Sequence, residues 1–426
     1  MTAEPAAWSG PAAPRRWPAR RDQTSLVRTA DFLAALIAAS LPWSTTVPAI
    51  FTGLWLLAVT PTIDWRDYAR SLAKPAFALP FAFLLLAVVG TLWSDGAWAD
   101  RLHAIKPVAK LVLIPPLLYH FRRSERGTWV FLAFLGSCAL LAIFSWLVLL
   151  HPAWKITVTA SAGVPVKNYI DQSQEFTLCA FALALPALGF WRARQVAAML
   201  TCLALILLFL TNMVFVASAR TALVCIAVLL VLFAWRHLSR RAALFLLAGA
   251  VAASALAWTA SPYLRQRITD IYVEYQHGHE DISRASTAQR LTYWRKSTLA
   301  FIEAPLFGHG TGSIKRQFER AAVGASGLGA EIVSNPHNQT LNVAVQWGLI
   351  GVALLYAMWL AHLRLFTGEG LAAWIGLVIV VQNIASSLLN SHLFDFHEGW
   401  MYVLGIGVAG GMSLRANAER GNNAAW

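Results

Sequence analysis

Long apolar runs separated by short basic turns fill most of this chain. A bilayer-crossing helix needs roughly 20 mainly apolar residues, within a range of about 17–25. In a bilayer every backbone N–H and C=O must be paired inside the protein, which leaves only helices and closed barrels. The runs here are continuous rather than alternating, so they demand helices. Only 13% of residues are charged and 58% are hydrophobic, whereas soluble domains carry about a quarter charged residues. The fold class is therefore all-α and polytopic. The 19 Trp and 22 Phe fit that class, because aromatic rings populate the bilayer interfaces.

Candidate spans cover residues 30–43, 47–60, 75–93, 106–119, 129–150, 176–191, 196–216, 222–235, 242–260, 340–362, 371–389 and 399–414, which makes about twelve transmembrane helices. Pro42 and Pro48 interrupt the first two, so a merged count is the alternative. Charge arbitrates. With twelve spans and an inner N-terminus, the inner segments carry Arg15, Arg16, Arg20, Arg21 and Arg28, then Arg66/Arg70/Lys74, Arg122/Arg123/Arg126, Arg192/Arg194, Arg236/Arg240/Arg241, Arg364 and Arg415/Arg420. Every inner turn is then basic, as the positive-inside rule requires. Merging the first pair would put the basic tail opposite the other basic turns.

The expected organisation is a cytoplasmic basic tail over 1–29, nine spans within 30–260, a large outer loop over 261–338, three spans within 339–414, and a cytoplasmic tail over 415–426. The first apolar run reads as an uncleaved anchor. The net charge of +13, from 34 Lys+Arg against 21 Asp+Glu, is mainly an orientation signal, so nucleic acid is not a partner. Cys138, Cys179, Cys202 and Cys225 sit in apolar runs without metal-ligand spacing and read as small core residues.

The outer loop breaks the pattern. It carries Arg265, Arg267, Arg284, Arg290, Arg295, Lys296, Lys315, Arg316 and Arg320, on the side where cations are usually fewer. Such cations suit an anionic ligand. Leu264, Ile268, Ile271 and Tyr275 fall at helical spacing, as do Leu291, Trp294 and Leu299, which predicts two amphipathic helices near the outer membrane face. Pro305 and the glycines of Gly308-His309-Gly310-Thr311-Gly312 then predict a break. These glycines follow no strand, so they are not a nucleotide fingerprint.

Arg220, in Ser218-Ala219-Arg220-Thr221, is a membrane-level arginine at the only polar break between two long runs. It either faces a ligand cavity or snorkels from a helix end. Arg265 and Arg290 sit on the edges of the two outer helices. Converging guanidinium forks suit a diphosphate; holding anionic headgroups is the alternative. His337 and Asn338 stand where the chain re-enters the membrane. A neutral imidazole there can take a proton from an attacking hydroxyl; equally, Asn338 can cap the helix with His337 packed beneath it.

Arg101, Lys106 and Lys110 are further candidates for phosphate contact or for interfacial anchoring. His392, with Asp395, His397 and Glu398, reads as a polar lip of the cavity; the spacing matches no metal-site pattern, so no metal is expected. No nucleophile series or carboxylate pair stands out, and no cofactor is implied. One base with several cations points to displacement of a phosphate leaving group.

These residues carry a resemblance. Ser218-Ala219-Arg220-Thr221, Arg290 and Trp294 leading into Glu303-Ala304-Pro305-Leu306-Phe307-Gly308-His309-Gly310, Pro336-His337-Asn338, and Trp347-Gly348-Leu349-Ile350-Gly351 resemble, in order and spacing, the O-antigen ligase family. The resemblance covers about residues 196–413 and departs from the common pattern at Gln346, where an acidic residue often stands. It implies a bacterial inner-membrane enzyme with a helical periplasmic subdomain that transfers O-antigen from undecaprenyl diphosphate to a sugar hydroxyl of the lipid A-core, metal-independent and inverting. By position, Arg220, Arg265 and Arg290 would hold the diphosphate and His337 would lie near the acceptor. An O-antigen polymerase and a protein O-oligosaccharyltransferase are the related alternatives. A lipid-linked glycan flippase is the alternative from another class; it would favour charges deep within several spans.

Overall fold

The computed structural model describes residues 20–159, 161–277 and 286–423. Arg15, Arg16 and Arg284, with the side chains of Arg20, Arg21, Arg267, Ile271 and Tyr275, lie outside the described residues. All the long regular elements described are helices: α1 (Arg20–Ser40), α2 (Thr46–Val59), α3 (Trp65–Ser71), α4 (Pro75–Val89), α5 (Trp98–Ala109), α6 (Ile114–Phe121), α7 (Gly127–Leu150), α8 (Tyr169–Arg192) and α9 (Val196–Phe215). They continue as α10 (Arg220–His237), α11 (Arg240–Ala260), α12 (Pro262–His277), α13 (Ser286–Glu303), α14 (Ile314–Ala322), α15 (Gln339–Arg364), α16 (Leu371–Ser387) and α17 (Phe396–Asn423). The protein is an all-α polytopic membrane protein.

Seven stretches among the described residues are long and apolar enough to cross a bilayer: α5 joined to α6 as Trp98–Phe121, and α7, α8, α9, α10, α11 and α15. Residues Thr46–Thr62 and Trp65–Ser71 form a pair bent by 108°, and α4 and α16 are shorter apolar helices. The predicted runs 30–43 and 399–414 form parts of α1 and α17. Caps set several boundaries. Asn168 accepts from the Ile170 and Asp171 N–H groups to open α8, and Ser239 accepts from Ala242 N–H to open α11.

Polar side chains tie the bundle where hydrophobicity alone would leave it unspecified. Asp31 on α1 takes His120 Nε2 at 2.8 Å and Ser124 Oγ at 2.6 Å, with the carboxylate fully buried. Small residues let α17 lie close on α6: a Cβ on Gly407 would stand 2.3 Å from Leu117. Helix α8 starts well before the apolar run that announces it. Its first two turns, with Asp171, Gln172, Ser173, Gln174 and Glu175, are polar yet buried, because α17, α16 and the 163–168 segment bring partners to them.

A polar layer covers one end of the bundle. Helix α12 packs on α9 and α11, and α13 packs on α15. Tyr293, Ala300, Ile314, Phe318 and Val345 form its small core. The two predicted amphipathic helices are present as α12 and α13, and α14 is a third that spacing did not announce.

The layer is locked to the bundle at a break in α15. Gly348 has φ 59° inside that helix, a conformation that only glycine adopts cheaply. The break frees backbone groups, and the 305–310 segment takes them: Leu349 N–H donates to Pro305 O at 2.8 Å and Ile350 N–H to Leu306 O at 3.4 Å. In the other direction, His309 N–H donates to Val345 O and Gly310 N–H to Gln346 O, each at 2.8 Å. A Cβ on Gly348 would stand 2.4 Å from the Leu306 backbone.

Gly348→Ala is therefore expected to lower stability by more than the roughly 1–3 kcal/mol of its glycine-only backbone conformation alone. Gly249→Ala, in α11 with nothing within 4 Å, is expected to be neutral or slightly stabilising. Thermal unfolding of both variants in detergent, followed by tryptophan fluorescence, checks the contrast.

Candidate functional site

His337 sits in the turn that leads into α15 with φ 53°, an uncommon backbone for a non-glycine residue that its surroundings must impose. Asn335 Oδ1 accepts from its N–H at 2.9 Å, Trp294 Nε1 donates to its carbonyl at 3.2 Å, and the Tyr293 ring stacks on its imidazole at 6.1 Å between centroids. Tyr293 is itself held, donating its hydroxyl to Glu331 Oε2 at 2.5 Å.

The ring has a defined tautomer. Asn390 Oδ1 lies 2.7 Å from His337 Nδ1 and also accepts the Ser391 N–H at 3.0 Å. An oxygen in that position is an acceptor only, so Nδ1 carries the proton and Nε2 keeps its lone pair. No hydrogen bond engages Nε2 among the described residues. Burial, reinforced by the Arg290 charge, holds the imidazole below the usual histidine value against the opposing Asn390 contact. The group is a neutral base poised for a proton.

Arg290 lies near it, and Arg220 reaches the helix that carries Arg290. Arg220 opens α10, and its Nη1 donates to Thr287 Oγ1 on α13 at 3.3 Å. Thr287 and Arg290 are three apart on that helix and share a face. Arg290 in turn lies close enough to His337 and His392 for its charge to depress both. Arg265 is exposed on α12, and no described contact joins its side chain to the other two.

Of the remaining candidates, Arg101, Lys110 and Asn338 contact the protein itself. Arg101 donates from Nε to Gly96 O at 2.8 Å and from Nη1 to Thr91 O at 2.9 Å, with its guanidinium 4.6 Å over the Trp98 ring. Lys106 is exposed on α5. Lys110 turns inward: Nζ donates to Phe394 O at 3.2 Å and to Asp395 O, strapping the loop that carries Asn390. Asn338 caps α15, accepting from Leu341 N–H at 3.0 Å and donating to Leu388 O at 2.9 Å.

His392 is fully buried, its Nε2 3.9 Å from Glu398 Oε1, and burial drives its pKa down to about 3. His392, Asp395 and Glu398 offer donor atoms within 4.8 Å of one another and are the residues best placed to hold a cation. The half-buried Lys110 ammonium, reaching from the end of α5 to the Phe394 and Asp395 carbonyls, already brings positive charge there. Asp395 is raised to about 7 by burial, with Lys110 opposing.

Sequence reasoning passed over Asn390, Tyr293, Glu331 and Asp171, whose Oδ2 lies 2.8 Å from Nδ1 of His397, a residue of the expected lip, and fastens α8 to α17. None recurs at a spacing that marks a site. Their roles depend on neighbours distant in the chain.

Residues 203–356 match the family model Wzy_C, described as O-antigen ligase. Over that stretch the chain is similar to the O-antigen ligase family. The matched stretch runs from within α9 to within α15 and contains Arg220, Arg265, Arg290 and His337. Asn390, which sets the tautomer, lies beyond it. No curated protein matches the chain.

The geometry also explains the departure at Gln346. Its Oε1 accepts from Gly312 N–H at 2.7 Å while its Nε2 donates to Asn342 Oδ1 at 2.8 Å. A carboxylate can do only the first, so an amide suits this position.

Asn390→Asp would place a carboxylate on Nδ1 and favour the imidazolium. The sign follows: the His337 pKa rises, and the neutral form that is present near neutral pH is confined to higher pH. His337 modification by diethyl pyrocarbonate, read by peptide mass spectrometry across pH, is expected to lose reactivity at a pH about one unit or more higher in that variant.

Proposed function

We propose that this protein is an O-antigen ligase, moving O-antigen from undecaprenyl diphosphate to a sugar hydroxyl of the lipid A-core. The observation that carries the proposal is the lone pair on His337 Nε2, neutral and fixed in direction by Asn390, near Arg290 on the helix that Arg220 contacts through Thr287. In the proposed step the acceptor oxygen attacks the anomeric carbon and gives its proton to Nε2. The carbon–oxygen bond to the diphosphate breaks on the opposite face, and undecaprenyl diphosphate leaves as an anion neutralised by the guanidinium groups. One displacement inverts the anomeric centre. Arginine cannot lose its proton and engages two oxygens at once, which is what a diphosphate leaving group needs.

Arg265 joins this reading only if donor binding draws α12 inward. Lys106, exposed near the Lys110 strap, is available to donor phosphate, whereas His392, expected as a polar lip, is fully buried and offers substrate no surface. The basic turns support the orientation in which His337 faces the periplasm of an inner-membrane protein with both termini in the cytoplasm. Reporter fusions at Gly163 and Gly327 are expected to read periplasm, and those after Arg194 and Arg240 cytoplasm; a cytoplasmic signal at Gly327 would defeat the scheme.

Loss of the gene is expected to leave core-only lipopolysaccharide while lipid-linked polymer accumulates. Core carrying a single repeat would identify a polymerase instead. With purified protein and donor, His337→Ala is expected to lower the rate roughly 100- to 10,000-fold with donor binding little changed. Arg290→Ala should cost on the order of 2–4 kcal/mol of transition-state stabilisation, or ~30- to 1000-fold, with poor rescue by Lys. A retained anomeric configuration in the product, read by NMR, would rule out the single displacement.

A further inference from the structure

A second feature of the bundle has nothing to do with His337. Between α7 on one side and α8, α16 and α17 on the other lies an open cleft of about 130 Å³. Its walls are almost wholly apolar, with Leu135, Ala182, Ile375 and Leu404 among them. Its rim carries Leu132 and Leu371, which are 58% and 40% exposed, so it opens toward the surroundings of the bundle. An engineered apolar cavity of roughly 150 Å³ stays dry and binds benzene. In a membrane-spanning bundle the molecule at hand is hydrocarbon.

The charge at one end of the cleft says which lipid. Thr128 on α7, Met412 on α17 and Leu371 on α16 line that end. Two residues before Thr128 is Arg126, partly exposed, with Nη1 at a loose 3.6 Å from Asp31. Three residues after Met412 is Arg415, whose Nη1 donates to Ser124 O at 2.9 Å on the same turn. A few residues before Leu371, the carbonyls of Thr367 and Gly368 accept from Arg236 Nη2 at 3.1 and 2.6 Å. Three guanidinium groups from different elements thus stand within a turn or two of chain from residues that line this end of the slot, Arg415 also pairing with Glu419 Oε1 at 3.4 Å. Basic pockets between membrane helices hold anionic phospholipid headgroups.

We propose that this cleft holds one acyl chain of an anionic glycerophospholipid, whose phosphate rests on Arg126, Arg415 and Arg236. A chain in the cleft completes the packing between α7 and the α8–α16–α17 wall, and the headgroup bridges the ends of three helices. The site is separate from the glycan-transfer scheme, and its test uses no transfer activity.

The full-length protein, purified in mild detergent, is examined by native mass spectrometry and by lipid extraction. About one anionic phospholipid per chain is expected to co-purify. After delipidation, nanodiscs of 1-palmitoyl-2-oleoyl phosphatidylglycerol are expected to raise the unfolding temperature well above that in phosphatidylcholine, with binding preferred on the order of tenfold. Ala372→Phe fills the cleft near its rim and should displace the bound lipid while the fold persists. Arg126→Gln with Arg236→Gln should keep a lipid but erase the preference for phosphatidylglycerol. Four outcomes would each overturn the proposal: no stoichiometric lipid, equal stabilisation by the two lipids, a polyprenyl phosphate as the bound species, or retention of the lipid in Ala372→Phe.

Discussion

The break in α15 at Gly348 organises the end of the bundle where the candidate site lies. Unpaired backbone groups are intolerable at membrane depth, yet the chain interrupts a long apolar helix there. It does so because the 305–310 segment returns two donors and two acceptors to the freed groups. The same exchange carries α13 and α14 down onto α15, and α13 brings Tyr293, Trp294 and Arg290 to His337. The two glycine-bearing motifs therefore belong together physically. Gly308 approaches the Gln346 carbonyl and Gly348 approaches Leu306, each too closely for a side chain.

Around that junction the protein keeps one histidine neutral among cations. Burial and Arg290 both disfavour imidazolium at His337, and a neutral amide at Asn390 orients the ring without adding a charge that would reverse the balance. In the proposed transfer, arginine would serve the anionic leaving group and histidine the proton, with little competition between them. The scaffold beneath uses opposite charges more freely. Asp171 meets His397, Glu175 meets Lys167 at 3.2 Å, and Lys110 straps the 394–395 backbone. Pairs of this kind contribute modest net stability. Here they join α8, the 163–168 segment, α5 and α17 to the loop on which Asn390 rides, so their role is to fix relative position.

Much of this was legible in the chain alone. Continuous apolar runs can satisfy their backbone in a membrane only as helices, which determined the all-α polytopic class. The polar interval over 261–338, with Arg220 before it and His337 at its close, marked the stretch to look at, because its cations stand on the side where orientation calls for few. Tertiary structure decided what spacing could not express. The buried polar turns of α8 look like a loop to any hydropathy argument, since their partners lie on α16, α17 and the 163–168 segment. Lys110 resembled a ligand residue until the fold turned it onto a carbonyl pair. Asn390 carries no local signal, yet it sets which nitrogen of His337 is basic. Periodicity and charge are properties of neighbours along the chain; a tautomer, a strap or the pairing of a broken helix depends on atoms that only folding brings within hydrogen-bond reach.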